Sequence, residues 1–239
     1  MTYPTGSNPY FVTAADVNGD NNSDIIVANS ISNNVGILFN IGNGTFAAQI
    51  TYATGGTPYS VAAADVNGDS KLDLIVANFG VNAVSVLRNN GNGTFATQVT
   101  YGTSSFPSSV AAADVNGDSK PDIIVASQGG NNVGVLLNTG NGTFIPQVIY
   151  SAGSSTISVI AVDFNGDGIL DIVAANANAN NIGIFLNRGN GTFTAQVTYI
   201  TGSSPYSVTA ADVNDDGKRD IIVANRGSAN VGVLMYKCN

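Results

Sequence analysis

The chain has 239 residues, a net charge of −8, and only 10% charged against 44% hydrophobic residues. It contains no His and no Glu, which removes the commonest general base and the commonest transition-metal ligand, and its acidic balance excludes a basic nucleic-acid surface. One cysteine, Cys238, cannot build a disulfide framework and reads as a tail thiol.

The opening Met1-Thr2-Tyr3-Pro4 has neither the basic region nor the apolar core of a leader, so any leader is expected to have been removed. No apolar run reaches the roughly 18–20 residues of a membrane span, so membrane insertion is not expected. From Asp16 onward the chain repeats. An Asp-hydrophobic-Asn motif begins at Asp16, Asp65, Asp114, Asp163 and Asp212, each 49 residues after the last, without insertion or deletion. A period near 50 points to a propeller or another array.

Each unit predicts four short strands. In the second unit these are 60–66, 74–77, 84–87 and 95–101, rich in Val, Ile, Tyr and Phe and bounded by Gly and Asn clusters. The fourth places Phe95, Val99 and Tyr101 on one face and Gln98 on the other. Asn89-Asn90-Gly91-Asn92-Gly93 supplies the turn before it. Nothing sustains a helical period, and no helix is expected. The Ala-rich first strand suits the innermost position, where only small side chains fit.

The expected fold is therefore all-β: one domain, 1–239, built as a five-bladed β-propeller of four-stranded antiparallel blades. A stacked β-solenoid is the alternative, although its repeats are usually shorter. Tyr3 aligns with Tyr52, Tyr101, Tyr150 and Tyr199, and Asn239 with Asn190, so the last unit lacks most of its outer strand. That predicts either a ring with a weak seam or a piece of a longer array.

The acidic residues carry the chemical signal. Positions one, three, five, seven and nine of the loop are Asp16, Asn18, Asp20, Asn22 and Asp24 in the first copy. They are Asp65, Asn67, Asp69, Lys71 and Asp73 in the second, and Asp114, Asn116, Asp118, Lys120 and Asp122 in the third. The fourth has Asp163, Asn165, Asp167, Ile169 and Asp171, and the fifth Asp212, Asn214, Asp216, Lys218 and Asp220. Fifteen of the sixteen acidic residues occupy these positions, and the sixteenth, Asp215, stands at position four of the fifth loop.

Calcium takes about 6–8 oxygens at roughly 2.3–2.6 Å. Side chains at positions one, three, five and nine, with the backbone carbonyl of position seven, match that demand. Gly at position four or six relieves the turn. Three carboxylates within nine residues repel one another without a cation, although Asp and Asn also form metal-free Asx-turns. About five Ca2+ per chain would change the formal charge from −8 to −8 + 10 = +2. The ions would then serve as folding cofactors.

The run Asp-Val-Asn-Gly-Asp-Ser-Lys-Leu-Asp-Leu-Ile-Val-Ala-Asn, with Asn-Asn-Gly-Asn-Gly-Thr-Phe after it, resembles the FG-GAP/VCBS-type repeat of integrin α-subunit propellers and many secreted proteins. The resemblance covers essentially the whole chain. It implies that the side chains at positions one, three, five and nine are calcium ligands. Members of that family often have seven blades, against five counted here, which puts ring closure in question.

Up-and-down strand order would put the calcium loops and the three-to-four turns on one face. The Asn-rich two-to-three loops at 29–33, 78–82 and 176–180 and the blade connections, with Tyr10, Tyr59, Phe106 and Tyr206, would lie on the other. Amides beside aromatic rings suit a sugar or peptide, and also suit plain turns and blade caps. The Asn-Gly-Thr sequons at Asn43, Asn92, Asn141 and Asn190 read equally as turns that open a strand.

The functional expectation is an extracellular or cell-surface binding and adhesion module for a glycan or protein ligand. A purely structural scaffold within a larger surface protein is the alternative. An enzyme is not expected, because nearly every Asp is committed to the loops and no nucleophile–base pair can be assembled.

Overall fold

The computed structural model describes residues 1–236, so Cys238 and Asn239 lie outside the described residues. The first unit forms β1 (Pro9–Ala15), β2 (Asp24–Asn29), β3 (Asn34–Leu38) and β4 (Ile50–Ala53). The second forms β5 (Pro58–Ala64), β6 (Asp73–Asn78), β7 (Ala83–Leu87) and β8 (Val99–Gly102). The third forms β9 (Pro107–Ala113), β10 (Asp122–Ser127), β11 (Asn132–Leu136) and β12 (Val148–Ser151). The fourth forms β13 (Thr156–Val162), β14 (Asp171–Asn176), β15 (Asn181–Phe185) and β16 (Val197–Ile200). The fifth holds β17 (Pro205–Ala211), β18 (Asp220–Asn225) and β19 (Asn230–Leu234).

Four sheets are four-stranded antiparallel meanders, and the fifth has three strands among the described residues. The expected fourth strand is shorter than the sequence pattern suggests. It begins at Val99 rather than Phe95, because Phe95 makes an isolated bridge to Asn89 and the three residues after it leave the ladder. Val99 is also exposed, so the shared apolar face reduces to Phe95 and Tyr101. Among the described residues the one helical turn is the 3₁₀ segment Phe79–Val81. No described helix is long and apolar enough to cross a membrane.

The alanine-rich strands are innermost, as expected: β1, β5, β9, β13 and β17 lie side by side in order. Serines join them. Val110 N donates to Ser60 Oγ at 3.2 Å, Val159 N to Ser109 Oγ at 3.3 Å, and Val208 N to Ser158 Oγ at 3.3 Å.

The core is divided among the four seams between consecutive blades. Val35 and Ile37 of one blade meet Val61, Leu74 and Val76 of the next, and the same pattern recurs through to Val208 and Val223. Among the described residues no fifth cluster joins the last sheet to the first. Val12 is 62% exposed where its counterpart Val61 is 2%, and Val231 is 66% exposed where Val35 is fully buried. The described residues thus give five sheets side by side with no apolar seam between the last and the first, and ring closure is not shown. Among the described residues nothing packs on the fifth blade's forward face, and β19 has no fourth strand beside it.

Candidate binding faces and ion loops

The loop between the first two strands of each blade is stitched by its own side chains. In the second copy, Asp65 Oδ1 accepts N–H groups from Asn67, Gly68 and Asp69, and Oδ2 accepts that of Ser70 at 2.7 Å. Asn67 Oδ1 accepts Asp69 N at 2.9 Å, and Asp69 Oδ1 accepts Lys71 N at 3.1 Å. The other copies repeat the scheme, including Asp16 with Gly19, Asp114 with Gly117, Asp163 with Gly166 and Asp212 with Gly217. Positions four and six both take positive φ in every copy, not one or the other. Gly68 has φ 79° and Ser70 65°, while in the fifth loop Asp215 takes position four at 61°.

The position-nine carboxylates anchor each loop to its sheet. Asp24, Asp73, Asp122, Asp171 and Asp220 are fully buried. Asp73 Oδ2 accepts Val66 N at 3.2 Å and Oδ1 accepts Asn89 N at 2.7 Å. Burial pushes the carboxyls of Asp24, Asp73 and Asp171 up, and that of Asp122 to about 6, partly opposed by these N–H donors. Neighbouring loop carboxylates push in the same direction, Asp118 and Asp114 on Asp122. Lys71 and Lys120 pair with Asp69 and Asp118 at 3.6 and 3.8 Å, but at the exposed rim, where such pairs contribute little.

These oxygens fit a hard cation in kind: carboxylates, one amide carbonyl and a backbone carbonyl per loop. Position seven is Asn22, Lys71, Lys120, Ile169 or Lys218, so only its backbone can serve all copies. Among the described residues no three acidic, histidine or cysteine side chains are gathered closely enough to hold an ion. The position-one carboxylates are engaged by backbone N–H groups instead. An ion would enter a preformed loop and draw the carboxylates of positions one, five and nine together.

Asn89 Nδ2 donates to Val17 O of the preceding blade at 2.8 Å, and Asn138 and Asn187 repeat this toward Val66 and Val115. The first three loops are thus each tied to the next blade's turn. Thr94 Oγ1 and Thr192 Oγ1 donate to Asn92 Oδ1 and Asn190 Oδ1 at 2.6 Å. The sequon residues therefore build turns, as one of their two readings required.

The opposite face carries an aromatic ladder. Tyr10 stacks on Tyr59 at 4.0 Å, Tyr59 on Phe79 at 4.2 Å and Phe79 on Phe106 at 4.9 Å, with interplanar angles of 13°, 18° and 24°. Tyr10 and Tyr206 share a hydroxyl hydrogen bond of 2.7 Å across the arc, and Arg226 lies over the Tyr206 ring at 5.0 Å. Burial and the bond to Tyr206 raise the Tyr10 hydroxyl, keeping it protonated. The axial cavity at this end is about 180 Å³ and is lined by all five inner strands, with Ser60, Ser108, Ser158 and Gln128 among its polar walls.

Phe106 sits at φ 56°, which is costly for a bulky side chain. It is held there from both sides: its N–H donates to Asn82 Oδ1 at 2.9 Å, and its carbonyl accepts Gln128 N at 2.9 Å. Asn33, Asn131 and Asn180 likewise accept an N–H from the next blade's linker. The Asn-rich loops are therefore blade connectors first.

Sequence reasoning anticipated Tyr10, Tyr59, Phe106 and Tyr206 but missed Phe79 and Arg226. A signal was present. Their shared repeat position reads Ser30, Phe79, Gln128, Ala177 and Arg226, a different residue in every copy of a nearly invariant unit.

The FG-GAP-like repeat model matches this chain four times in tandem, at residues 16–76, 65–125, 114–174 and 163–223. No curated protein sequence matches the chain. Among solved structures, a lectin from Agrocybe aegerita that recognises non-reducing terminal N-acetylglucosamine is 24% identical, with a TM-score of 0.64 over 94% of this chain. The chain spans 65% of that lectin's length. A putative 6-phosphogluconolactonase from Bacteroides uniformis is 18% identical, TM-score 0.71, covering 98% of this chain and 67% of its own. The V. cholerae biofilm matrix protein Bap1 is 21% identical, TM-score 0.54, covering 96% and 37%. These likenesses share a fold with the chain and carry no activity over to it.

Proposed function

The chain belongs to the FG-GAP-like repeat family, and from that premise we propose that it is a calcium-stabilised, extracellular binding module for a glycan or protein ligand. The observation that carries this reading is the ladder of four stacked rings beside the Tyr10–Tyr206 hydroxyl pair. The apolar rim of the stacked rings next to fixed hydroxyl and amide groups suits a sugar's apolar patches and hydroxyls. The lectin among its structural neighbours supports a glycan and makes N-acetylglucosamine-terminated glycans the first probes.

Calcium is the proposed cofactor, with Asp16, Asn18, Asp20 and Asp24 and their counterparts as side-chain ligands. When bound it would supply the positive charge that the clustered carboxylates lack. The residues' own part is to hold the loop shape through the N–H bonds to positions one, five and nine. A chain without His or Glu suits binding better than catalysis. The near-identity of the repeats favours the second reading, a structural spacer that presents no ligand site.

Glycan-array screening and calorimetry in calcium, beside metal counting and a melting curve with chelator, test the reading. It expects about five ions per chain, a large fall in Tm on chelation, and glycan or matrix-protein binding that is lost in Tyr59→Ala. Absence of bound ions together with an unchanged melting curve would leave the loops as Asx-turns. Calcium binding with no ligand would favour the spacer.

A further inference from the structure

Charge is divided unequally between the two ends of the molecule. Every acidic residue belongs to the loops between the first and second strands, and Lys71, Lys120, Lys218 and Arg219 lie in the same loops. Arg88 and Arg188 follow β7 and β15, in the turns at that same end. Among the described residues one charged side chain remains for the opposite end, that of Arg226, in the loop between β18 and β19.

The surroundings leave that charge unanswered. Arg226 N donates to Ser204 O at 2.9 Å, which fixes the backbone. The guanidinium lies over the Tyr206 ring at 5.0 Å, and among the described residues it makes no ion pair. A ring contact neutralises no charge, and it leaves N–H donors of the fork for a planar acceptor such as a carboxylate. Beside it, the Tyr10 and Tyr206 hydroxyls share one hydrogen bond of 2.7 Å. Each hydroxyl carries a proton and that bond uses one of the two, so one O–H is left to donate. The charge of Arg226 reaches the Tyr10 hydroxyl, where it opposes the upward push of burial. Cation and hydroxyl pair thus stand together at the mouth of the axial cavity, with Tyr59 stacked on Tyr10.

The repeat sets these residues apart from the scaffold. The position of Arg226 reads Ser30, Phe79, Gln128 and Ala177 in the other copies, and that of Tyr206 reads Tyr10, Tyr59, Ser108 and Ile157. The next position is Ser in four copies, Ser60, Ser109, Ser158 and Ser207. Three of those serines accept an N–H from the following blade. The position that joins blades is kept, while the positions at the mouth vary.

We propose that this mouth takes an acidic sugar, with its carboxylate on Arg226 and the remaining tyrosine proton, and its ring against the rim of Tyr10 and Tyr59. The inference rests on the binding reading of this face and narrows it to anionic glycans. A neutral sugar fits less well, because it leaves the one cation of this end without a counter-charge. An acidic peptide fits less well too, because the cavity of about 180 Å³ is walled by Ser60, Ser108, Ser158 and Gln128, whose hydroxyls and amide match sugar hydroxyls.

The test is calorimetry on the full chain in calcium at fixed ionic strength. The probes are a tetrasaccharide of alternating glucuronic acid and N-acetylglucosamine, and its carboxyl-reduced counterpart, which keeps every ring and loses every charge. The acidic probe is expected to bind about tenfold more tightly or better, and its affinity should fall as salt is raised. Arg226→Gln should erase the difference between the probes and Arg226→Lys restore part of it. Arg188→Gln removes the same charge from the other end and should leave the difference intact. Equal affinity of the unaltered chain for the two probes overturns the proposal and leaves the glycan reading standing. No binding of either probe up to millimolar sugar overturns both. An acidic preference that survives Arg226→Gln puts the carboxylate elsewhere, on the ions of the loops, and overturns the proposal. So does tighter binding of an Asp tetrapeptide than of the acidic sugar, because the occupant would then be a peptide.

Discussion

Burial makes the charged form of the position-nine carboxylates costly in the first four units. The Asp122 carboxyl is pushed to about 6, above its ordinary 3.8, chiefly by burial. The folded chain therefore binds more protons than the unfolded chain between those values. With the ion removed, stability falls as pH rises through that window and is greatest at its acid end. A bound cation reverses the preference, since it requires the charged form. The Tm measured in chelator should climb as pH is lowered from 7 to 5, while the Tm measured in calcium falls. Two curves that fall together would mean that the position-nine carboxylates are not what responds to the ion. Phe106 belongs to the same scale: its positive φ persists because Asn82 of the preceding blade and Gln128 of its own clamp its peptide groups.

At the scale of the element, a blade is joined to its neighbour by a few polar contacts laid over an apolar seam. Asn138 shows how much one contact does. Its Nδ2 donates to Val66 O at 2.8 Å and Pro121 O at 3.0 Å, and its Oδ1 accepts Gly140 N at 2.8 Å, all within a buried residue. Asn138→Ala leaves those groups unpaired and should cost about 2–3 kcal/mol, seen as a Tm lower by roughly 4–12 °C for a chain of this size. Lys120→Ala removes only an exposed ion pair and should stay within about 0.5 kcal/mol. A scan in which both variants melt alike would show that the amide bridge does not hold the seam. The third strand's glycines make the same point from the opposite direction. They are small not for a turn but because a glutamine from the next strand occupies the space.

Across the whole molecule, stability is a sum of blades and seams. The second, third and fourth blades each have two seams, whereas the first and fifth have one each. Among the described residues the fifth also has one strand fewer, so opening should begin there. Hydrogen exchange in calcium should be fastest in β18 and β19 and slowest in β6, β10 and β14. Equal protection across all five units would mean that the arc closes on itself in solution.

What could be read in the sequence is what repeats. The 49-residue spacing, the strand alternation and the innermost alanines are local or periodic, and each survives in the folded chain because the units share one internal packing. Phe79 and Arg226 were harder to find, since their meaning lies in which rings they touch. The sequence alone thus determined the unit and its strand order. Only the tertiary structure showed four apolar seams among the described residues, and position-one carboxylates satisfied by backbone N–H groups. It also decided that four rings from three blades line up on one face. Those outcomes depend on curvature and on contacts between residues far apart in the chain, which no single repeat encodes.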